Sequence, residues 1–334
     1  MALELERVPP AGGAQAAPRD SAPGAPTIVV GLINNMPDSA LEGTESQFVS
    51  LLSAACGPHS VRLRVSSIPE VPRGPEARAK IAARYWPLQS LLDEAPDALI
   101  ITGTEPKTPA LADEPYWDRL VEVMDYAARG TISTVYSCLA AHAAALHFDG
   151  IERRRLANKR FGVFESQVHD THALMRGVAS PLHTPHSRWN DLPIDALQAA
   201  GYTILSQSAD AGVDAFVKQR ESLLVFFQGH PEYEGRTLLK EYQRDVGRYI
   251  SGEYQQYPLE PVGYFGAEEK LLLADFARRL QAGELDTPAA AFPFTAVART
   301  LNNAWAAQAA RIYRNWLDLI AAGQMQGAAL PCRR

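Results

Sequence analysis

Two segments of the chain combine residue types that can perform covalent catalysis. Cys138 lies between a short apolar run that ends at Tyr136 and an Ala-rich run that begins at Leu139. A cysteine between a strand and a helix would project its sulfur from a sharp turn, and the helix N-terminus would stabilise the thiolate. His230 and Glu232 directly follow a later apolar run. Because an imidazole can accept a thiol proton and a nearby carboxylate can orient it, these residues predict a Cys/His/Glu triad.

Short apolar runs alternate with helical patterns along most of the chain, which indicates the elements that position this triad. Strands are predicted at 27–33, 61–68, 98–103, 131–136, 202–206, 213–218 and 223–228. Helices are predicted at 77–92 with a break near Pro87, and at 116–128, 139–148, 237–250, 267–282 and 296–322. This pattern predicts an α/β fold with a doubly wound, mainly parallel sheet of the flavodoxin-like kind and a C-terminal helical appendage. Ligands bind at the carboxyl edge of such a sheet, where both catalytic segments would lie.

The composition narrows the class of protein. The chain has 334 residues, a net charge of −6 and three cysteines, Cys56, Cys138 and Cys332. This odd, sparse set rules out a disulfide scaffold and a zinc cluster, and it predicts a reducing compartment, the cytoplasm. The mild acidity argues against a nucleic-acid partner, and no apolar run approaches the roughly 18 residues of a membrane span. The near pair His169 and His172 is expected to lie in a polar loop, so no metal site is predicted.

The chain is expected to form one domain with a leader and a tail. Residues 1–26 are rich in Ala, Pro and Gly and lack the apolar block of a signal peptide, which predicts a disordered leader. Residues 27–322 are expected to form a single domain that includes the C-terminal helices, and 323–334 a tail. Trp305 and Trp316 in those helices are candidates for shaping the pocket or for a contact in a homodimer.

Several short motifs occur in an order that resembles a known family. A cysteine before a helix and a later His-Pro-Glu resemble the class I glutamine amidotransferase-like fold. Further segments look like homoserine O-acyltransferases of the succinyltransferase type: LINNMP at 32–37, TESQ at 44–47, ITG at 101–103, YW at 116–117, KRFGVFE at 159–165, PHSR at 185–188, GHPEY at 229–233 and NWL at 315–317. The resemblance runs from about residue 27 to residue 317.

The resemblance implies a ping-pong acyl transfer between small molecules. Cys138 would attack an acyl-CoA thioester, with succinyl-CoA or acetyl-CoA as co-substrate and no bound cofactor. His230 would act as the general base, and Glu232 would orient it. The family also uses a lysine, a serine and an arginine around its substrates, and by motif these roles fall on Lys159, Ser187 and Arg244. The planar fork of an arginine suits the α-carboxylate of an amino acid.

Three positions depart from the family pattern. The family nucleophile is usually followed by a Trp, with a Gln shortly after, whereas Leu139 follows Cys138 in this chain. His142 lies four residues beyond Cys138, and on a shared helix face it would contact substrate, tune the thiol or simply pack. Asp38 replaces a lysine near the reacting carbonyl, and an anion there would not stabilise an oxyanion.

Lys107 occupies the position that the family links to the choice of acyl group. Its ammonium favours succinyl over acetyl if it faces the pocket, whereas pairing with Glu105 would neutralise it.

The leading prediction is therefore an amino-acid O-acyltransferase, first of all a homoserine O-succinyltransferase. A homoserine O-acetyltransferase and an acyltransferase acting on a related amino acid are alternatives within the family. A glutaminase-like hydrolase is a second class, but residues 136–140, YSCLA, lack the glycines that flank a glutaminase nucleophile. A non-catalytic, ligand-binding relative is a third class, and it is expected to lack a nucleophile or a base that this chain retains.

Overall fold

One mixed sheet of ten strands organises the residues that the computed structural model describes, which are 2–8, 27–169 and 172–326. In chain order the strands are β1 Leu3–Glu6, β2 Ile28–Ile33, β3 Val61–Ser66, β4 Ala98–Thr102, β5 Ser133–Ser137, β6 Arg154–Val168, β7 Leu182–Asp191, β8 Thr203–Ser208, β9 Gly212–Gln219 and β10 Leu223–Phe227. The helices are α1 Leu41–Ala55, α2 Pro75–Arg84, α3 Leu88–Asp93, α4 Trp117–Gly130, α5 Leu139–Asp149, α6 Ile194–Ala199, α7 Thr237–Ile250, α8 Ala267–Gln281, α9 Phe294–Val297 and α10 Ala306–Met325.

The strand order across the sheet is β1-β3-β2-β4-β5-β10-β9-β8-β6-β7. The first six strands in this order, β1 to β10, are parallel to one another. The remaining pairs, β10-β9, β9-β8, β8-β6 and β6-β7, are antiparallel. Parallel strands are covered on both faces, which explains why β4 is apolar from Ala98 to Ile101 and is buried along its whole length. The predicted mainly parallel α/β sheet is confirmed.

Helices cover both faces of the parallel part of the sheet. One apolar layer contains α1 and α10, and the opposite layer contains α3, α4, α5 and α6. A third apolar cluster joins α7, α8 and α9 beside the sheet. Trp316 of α10 donates its indole N–H to the Ser133 hydroxyl in β5 at 2.8 Å, so the last helix is anchored on a central strand.

Most predicted elements match the structure closely. The helix predicted over 237–250 is α7 without a change of bounds, and Pro87 separates α2 from α3 as its ring geometry requires. The helix predicted over 296–322 differs. Residues 294–297 form a short separate helix, and α10 begins only at Ala306.

Two parts of the structure correct the sequence predictions. The expectation of a disordered leader over 1–26 is wrong for Leu3–Glu6, which pairs in parallel with β3; residues 9–26 lie outside the described ranges. The antiparallel hairpin of β6 and β7 was not predicted, because many residues of β6 are polar and exposed and its start reads as a solvated basic run. Most of the predicted tail, with Cys332, also lies outside the described residues.

The two candidate dimer tryptophans are buried within the chain. Trp305 donates its indole N–H to the Tyr233 carbonyl at 2.6 Å, and Trp316 is 1% exposed. Neither ring is free for a contact between subunits, and the homodimer stays a prediction. Among the helices of the described ranges, none has both the length and the apolar character needed to cross a bilayer.

Gly103 provides a test of how tightly the sheet edge holds α5. An added Cβ would lie 2.3 Å from the Leu139 Cβ and 3.0 Å from the Ala140 amide nitrogen. We expect Gly103→Ala to lower the free energy of unfolding by about 1–3 kcal/mol, because the start of α5 must move. Gly43→Ala is the control: nothing lies within 4 Å of its added Cβ, so the free energy of unfolding should stay the same or rise. Urea denaturation measures both, and equal effects would contradict the close approach.

Candidate active site

The pairing of β5 with β10 brings the two catalytic segments to one edge of the sheet. These strands are parallel neighbours, and Phe227 is level with Ser137, the last residue of β5. The next residue, Cys138, donates its backbone N–H to the Phe227 carbonyl at 2.8 Å. His230 follows β10 by three residues. The predicted nucleophile and base therefore leave the sheet side by side.

Cys138 occupies a strained turn between β5 and α5. Its φ of 52° and ψ of −110° lie outside the regions that non-glycine residues favour. Such strain persists only where the surroundings enforce it, and it is common at functional sites. Cys138 is half-buried and unbonded to other sulfurs, and it sits at the N-cap of α5, where the helix dipole stabilises an anion. This is the sharp strand-to-helix turn that the sequence predicts.

His230 and Glu232 form the predicted acid–base pair. The imidazole donates from Nδ1 to Glu232 Oε1 at 2.8 Å, and the Ser137 hydroxyl donates to the same oxygen at 3.3 Å. The Tyr233 ring stacks on the imidazole with a centroid separation of 4.1 Å. The His230 backbone N–H donates to the Pro185 carbonyl at 2.8 Å. With Nδ1 committed to Glu232, Nε2 is the ring nitrogen left for the sulfur.

The surroundings of His230 favour its charged form. Burial alone would lower the pKa of this imidazole, but the charges of Cys138 and Glu232 and their hydrogen bonds to the ring raise its pKa well above the usual value. These anionic neighbours favour the imidazolium form of His230, and Glu232 is the carboxylate that its Nδ1 contacts.

The three residues line a cavity of about 420 Å³, together with Lys159, Ser187 and Arg244. These six residues come from three parts of the fold: the β5 and β10 edge, the β6–β7 hairpin and α7. The structure thus brings Lys159, Ser187 and Arg244, the three predicted substrate-binding residues, to the wall of the cavity that holds the candidate nucleophile.

Two carboxylates of α7 hold these substrate-binding candidates in one network. Asp245 accepts from Lys159 Nζ at 2.8 Å and from Arg244 Nε and Nη2 at 2.9 and 2.8 Å. Glu241 accepts from the hydroxyls of Ser187 and Tyr233. Glu241 also lies 3.7 Å from Lys159 Nζ and 3.8 Å from Arg244 Nη2. Glu241 was not predicted from the sequence, although its spacing of three residues before Arg244 puts both residues on one helix face.

Asp38 turns away from the cavity. Its carboxylate accepts the Gly74 backbone N–H at 2.7 Å, at the start of α2, and lies 3.3 Å from Arg73 Nη1. The neighbouring residues Pro37 and Ser39 line the cavity, but Asp38 does not. The Asp38 carboxylate is therefore bound to the backbone that precedes α2 and to Arg73, and it is not part of the cavity wall.

His142 lines the cavity as a buried, neutral ring. Its Nε2 lies 2.9 Å from Gln228 Oε1, which also accepts the Leu192 backbone N–H at 3.0 Å. Burial, with the nearby charges of Arg188 and Arg153, lowers the pKa of His142 to about 3. Because Gln228 Oε1 is an acceptor, the His142 proton resides on Nε2. The ring is therefore a fixed, uncharged part of the wall.

Lys107 is not brought to the cavity. It is exposed, and the residues of its loop that line the cavity are Thr104, Glu105 and Pro106. Glu105 pairs with Arg248 at 3.5 Å, so it is not reserved for Lys107. The predicted role of Lys107 in acyl selection has no support from its position.

No group of three or more metal-binding side chains occurs in the residues that the structure describes. His172, one of the two near-paired histidines, accepts the Leu174 backbone N–H at its Nδ1 at 3.2 Å, which caps a short turn. Its neighbours 170 and 171 lie outside the described ranges.

Comparisons with known proteins place the chain among acyltransferases. A family model described as homoserine O-succinyltransferase matches residues 3–326. Proteins named homoserine O-succinyltransferase from Rhodopseudomonas palustris and Methylorubrum extorquens are 44% and 47% identical. They align over 90% and 87% of this chain and 91% and 86% of their own lengths.

Solved structures confirm the predicted fold. A glutamine amidotransferase from Thermotoga maritima aligns with a TM-score of 0.51 at 12% identity, covering 88% of this chain and 98% of its own. One from Methylobacillus flagellatus gives 0.51 at 14% identity, covering 89% and 96%. At these identities the likeness shows the fold alone, which is class I glutamine amidotransferase-like.

Glu232→Gln tests the origin of the raised His230 pKa. Removing an anion that contacts the imidazole destabilises its charged form, so we expect the pKa of His230 to fall. NMR titration of the His230 ring measures the change, with Glu234→Gln as the control because Glu234 is exposed on the same loop. An unchanged His230 titration in Glu232→Gln would show that Glu232 does not support the imidazolium.

Proposed function

The chain belongs to the homoserine O-succinyltransferase family, and from this premise we propose that it transfers a succinyl group from succinyl-CoA to the hydroxyl of homoserine. The reaction proceeds through a thioester on Cys138. The observation that carries the proposal is the placement of Cys138, His230 and Glu232 on one cavity wall, with Nδ1 of the imidazole bound to the carboxylate at 2.8 Å.

The first half-reaction forms the acyl-enzyme. The Cys138 thiolate attacks the thioester carbonyl of succinyl-CoA, and a C–S bond to the enzyme replaces the C–S bond to coenzyme A. The proton on His230 Nε2 passes to the departing coenzyme A sulfur. The first N–H groups of α5 follow Cys138 directly and have no acceptor within the helix, so they are the candidates for stabilising the negative charge that develops on the carbonyl oxygen.

The second half-reaction transfers the acyl group to the amino acid. Neutral His230 takes the proton of the homoserine hydroxyl, and the hydroxyl oxygen attacks the enzyme thioester. The new C–O bond forms as the Cys138 thiolate leaves, which restores the ion pair with the imidazolium. Glu232 keeps the ring oriented through both steps and stabilises its charge.

The network of α7 suits an amino acid as the acceptor. Arg244 is 45% exposed in its side chain and directs its guanidinium along the cavity wall, where a planar fork can bind an α-carboxylate. Glu241 stands beside it with a carboxylate that can receive an α-ammonium. A zwitterion therefore meets one charge of each sign, three residues apart on one helix.

The mechanism also indicates the compartment. Cys138 must remain a free thiol for acyl transfer, and a reducing environment preserves it. We therefore propose that the enzyme works in the cytoplasm.

Intact-protein mass spectrometry tests the thioester. We expect one succinyl group to appear on the protein after mixing with succinyl-CoA, and to disappear when homoserine is added. Cys138→Ser should abolish the thioester, whereas Cys56→Ala is a control that keeps it, since Cys56 is a buried packing residue. A label that persists in Cys138→Ser would contradict Cys138 as the acyl carrier.

Glu241→Gln tests recognition of the α-ammonium. We expect kcat/KM for homoserine to fall about ten- to a hundredfold, the effect of losing one charged hydrogen bond. The value for γ-hydroxybutyrate, which lacks the ammonium, should stay nearly constant. Glu268→Gln, an exposed change in the first turn of α8 and outside the cavity wall, is the control. A parallel loss with both acceptors would mean that Glu241 only supports the wall.

A further inference from the structure

The cavity wall carries six basic side chains whose partners differ sharply. These are Arg153, Arg155, Lys159, Arg188, Arg244 and Arg248. Four of them form ion pairs. Lys159 and Arg244 pair with the carboxylates of α7. Arg188 pairs with Asp191 at 2.9 Å, and Arg248 pairs with Glu105 and Glu253 at 3.5 Å each. Within the described residues, Arg153 and Arg155 form none.

These two unpaired arginines have different surroundings. The Arg155 guanidinium is exposed and lies 4.5 Å from the centre of the Trp189 ring. Arg153 is half-buried. Its Nη2 donates to the Pro109 carbonyl at a long 3.3 Å, and its buried Nη1 has no hydrogen-bond partner. A buried guanidinium N–H without an acceptor is costly, so this group is suited to receive an anion.

Arg153 also lies within electrostatic reach of the nucleophile. Burial is the main cause that lowers the pKa of Arg153, and the positive charge of Arg155 lowers it further. The charges of Tyr116, Glu114 and Cys138 act in the opposite direction and raise the pKa. Glu114 forms no ion pair with Arg153, and its Oε1 accepts the backbone N–H groups of Lys107 and Thr108. The positive charge of Arg153 is thus without an ion-pair partner among the described residues, on the wall of the cavity that also holds Cys138.

We propose that Arg153 binds the free carboxylate of the succinyl group, and so selects succinyl over uncharged acyl groups. The proposal rests on the proposed acyl transfer to Cys138. A succinyl group held there extends two methylene groups beyond its thioester carbonyl and ends in an anion. Arg153 offers that anion an unused donor and an unpaired charge, which is the role that the sequence assigned to Lys107.

Thioester formation with two donors of equal chain length tests the proposal. Succinyl-CoA and butyryl-CoA differ at the far end of the chain, where one has a carboxylate and the other a methyl group. We expect Arg153→Gln to reduce the rate of acylation by succinyl-CoA about ten- to a hundredfold relative to butyryl-CoA. Arg154→Gln is the matched control, because Arg154 is the next residue, is exposed and does not line the cavity.

The outcomes separate this inference from the proposed function. If the wild-type protein gains no acyl group from succinyl-CoA, the proposed function fails. If the wild type is acylated but Arg153→Gln slows both donors equally, Arg153 only supports the loop at Pro109 and the inference is overturned. A loss of succinyl preference in Lys107→Gln but not in Arg153→Gln would also overturn it and return the role to Lys107.

Discussion

The site depends on one strand pairing. β5 and β10 are separated in the chain by the whole β6–β9 segment, yet they lie side by side and in register, so Cys138 and the His230 loop emerge from adjacent strand ends. The hydrogen bond from the Cys138 amide to the Phe227 carbonyl joins the two strands where they end. The remaining layers secure this edge. The indole of Trp316 anchors α10 on β5, and the indole of Trp305 binds the loop that carries the imidazole.

The distribution of charge divides the cavity wall into two parts. On the α7 side, the cations Lys159 and Arg244 are balanced by the carboxylates Glu241 and Asp245. A bound zwitterion could form ion pairs with these groups without changing the net charge of this side. On the Arg153 side, the positive charge has no carboxylate partner among the described residues, so an acyl group with an anionic end supplies the missing counterion. The two parts of the wall therefore suit two groups of different charge, which is what the proposed transfer in two half-reactions needs.

The parallel core and the placement of Cys138 and His230 at neighbouring strand ends could be predicted from the sequence, because both depend on short-range patterns. A buried parallel strand is a continuous apolar run, and Cys138 and His230 each stand where such a run ends. The β6–β7 hairpin could not be found this way, because its exposed face makes 153–160 read as a solvated basic run. Arg153 lies at the start of that hairpin. Spacing alone also could not show that Asp38 binds the Gly74 N–H and that Lys107 is exposed, because side-chain direction depends on partners distant in sequence.

The neutral state of His142 simplifies the proton chemistry of the cavity. Two imidazoles line the cavity in the described structure, and the pKa of His142 is lowered to about 3 while that of His230 is raised. The two rings therefore differ in charge tendency at neutral pH, because only His230 has a carboxylate, Glu232, bonded to its ring. Any pH dependence that arises from an imidazole of this cavity near neutral pH would be assigned to His230 and its neighbours, with no contribution from His142.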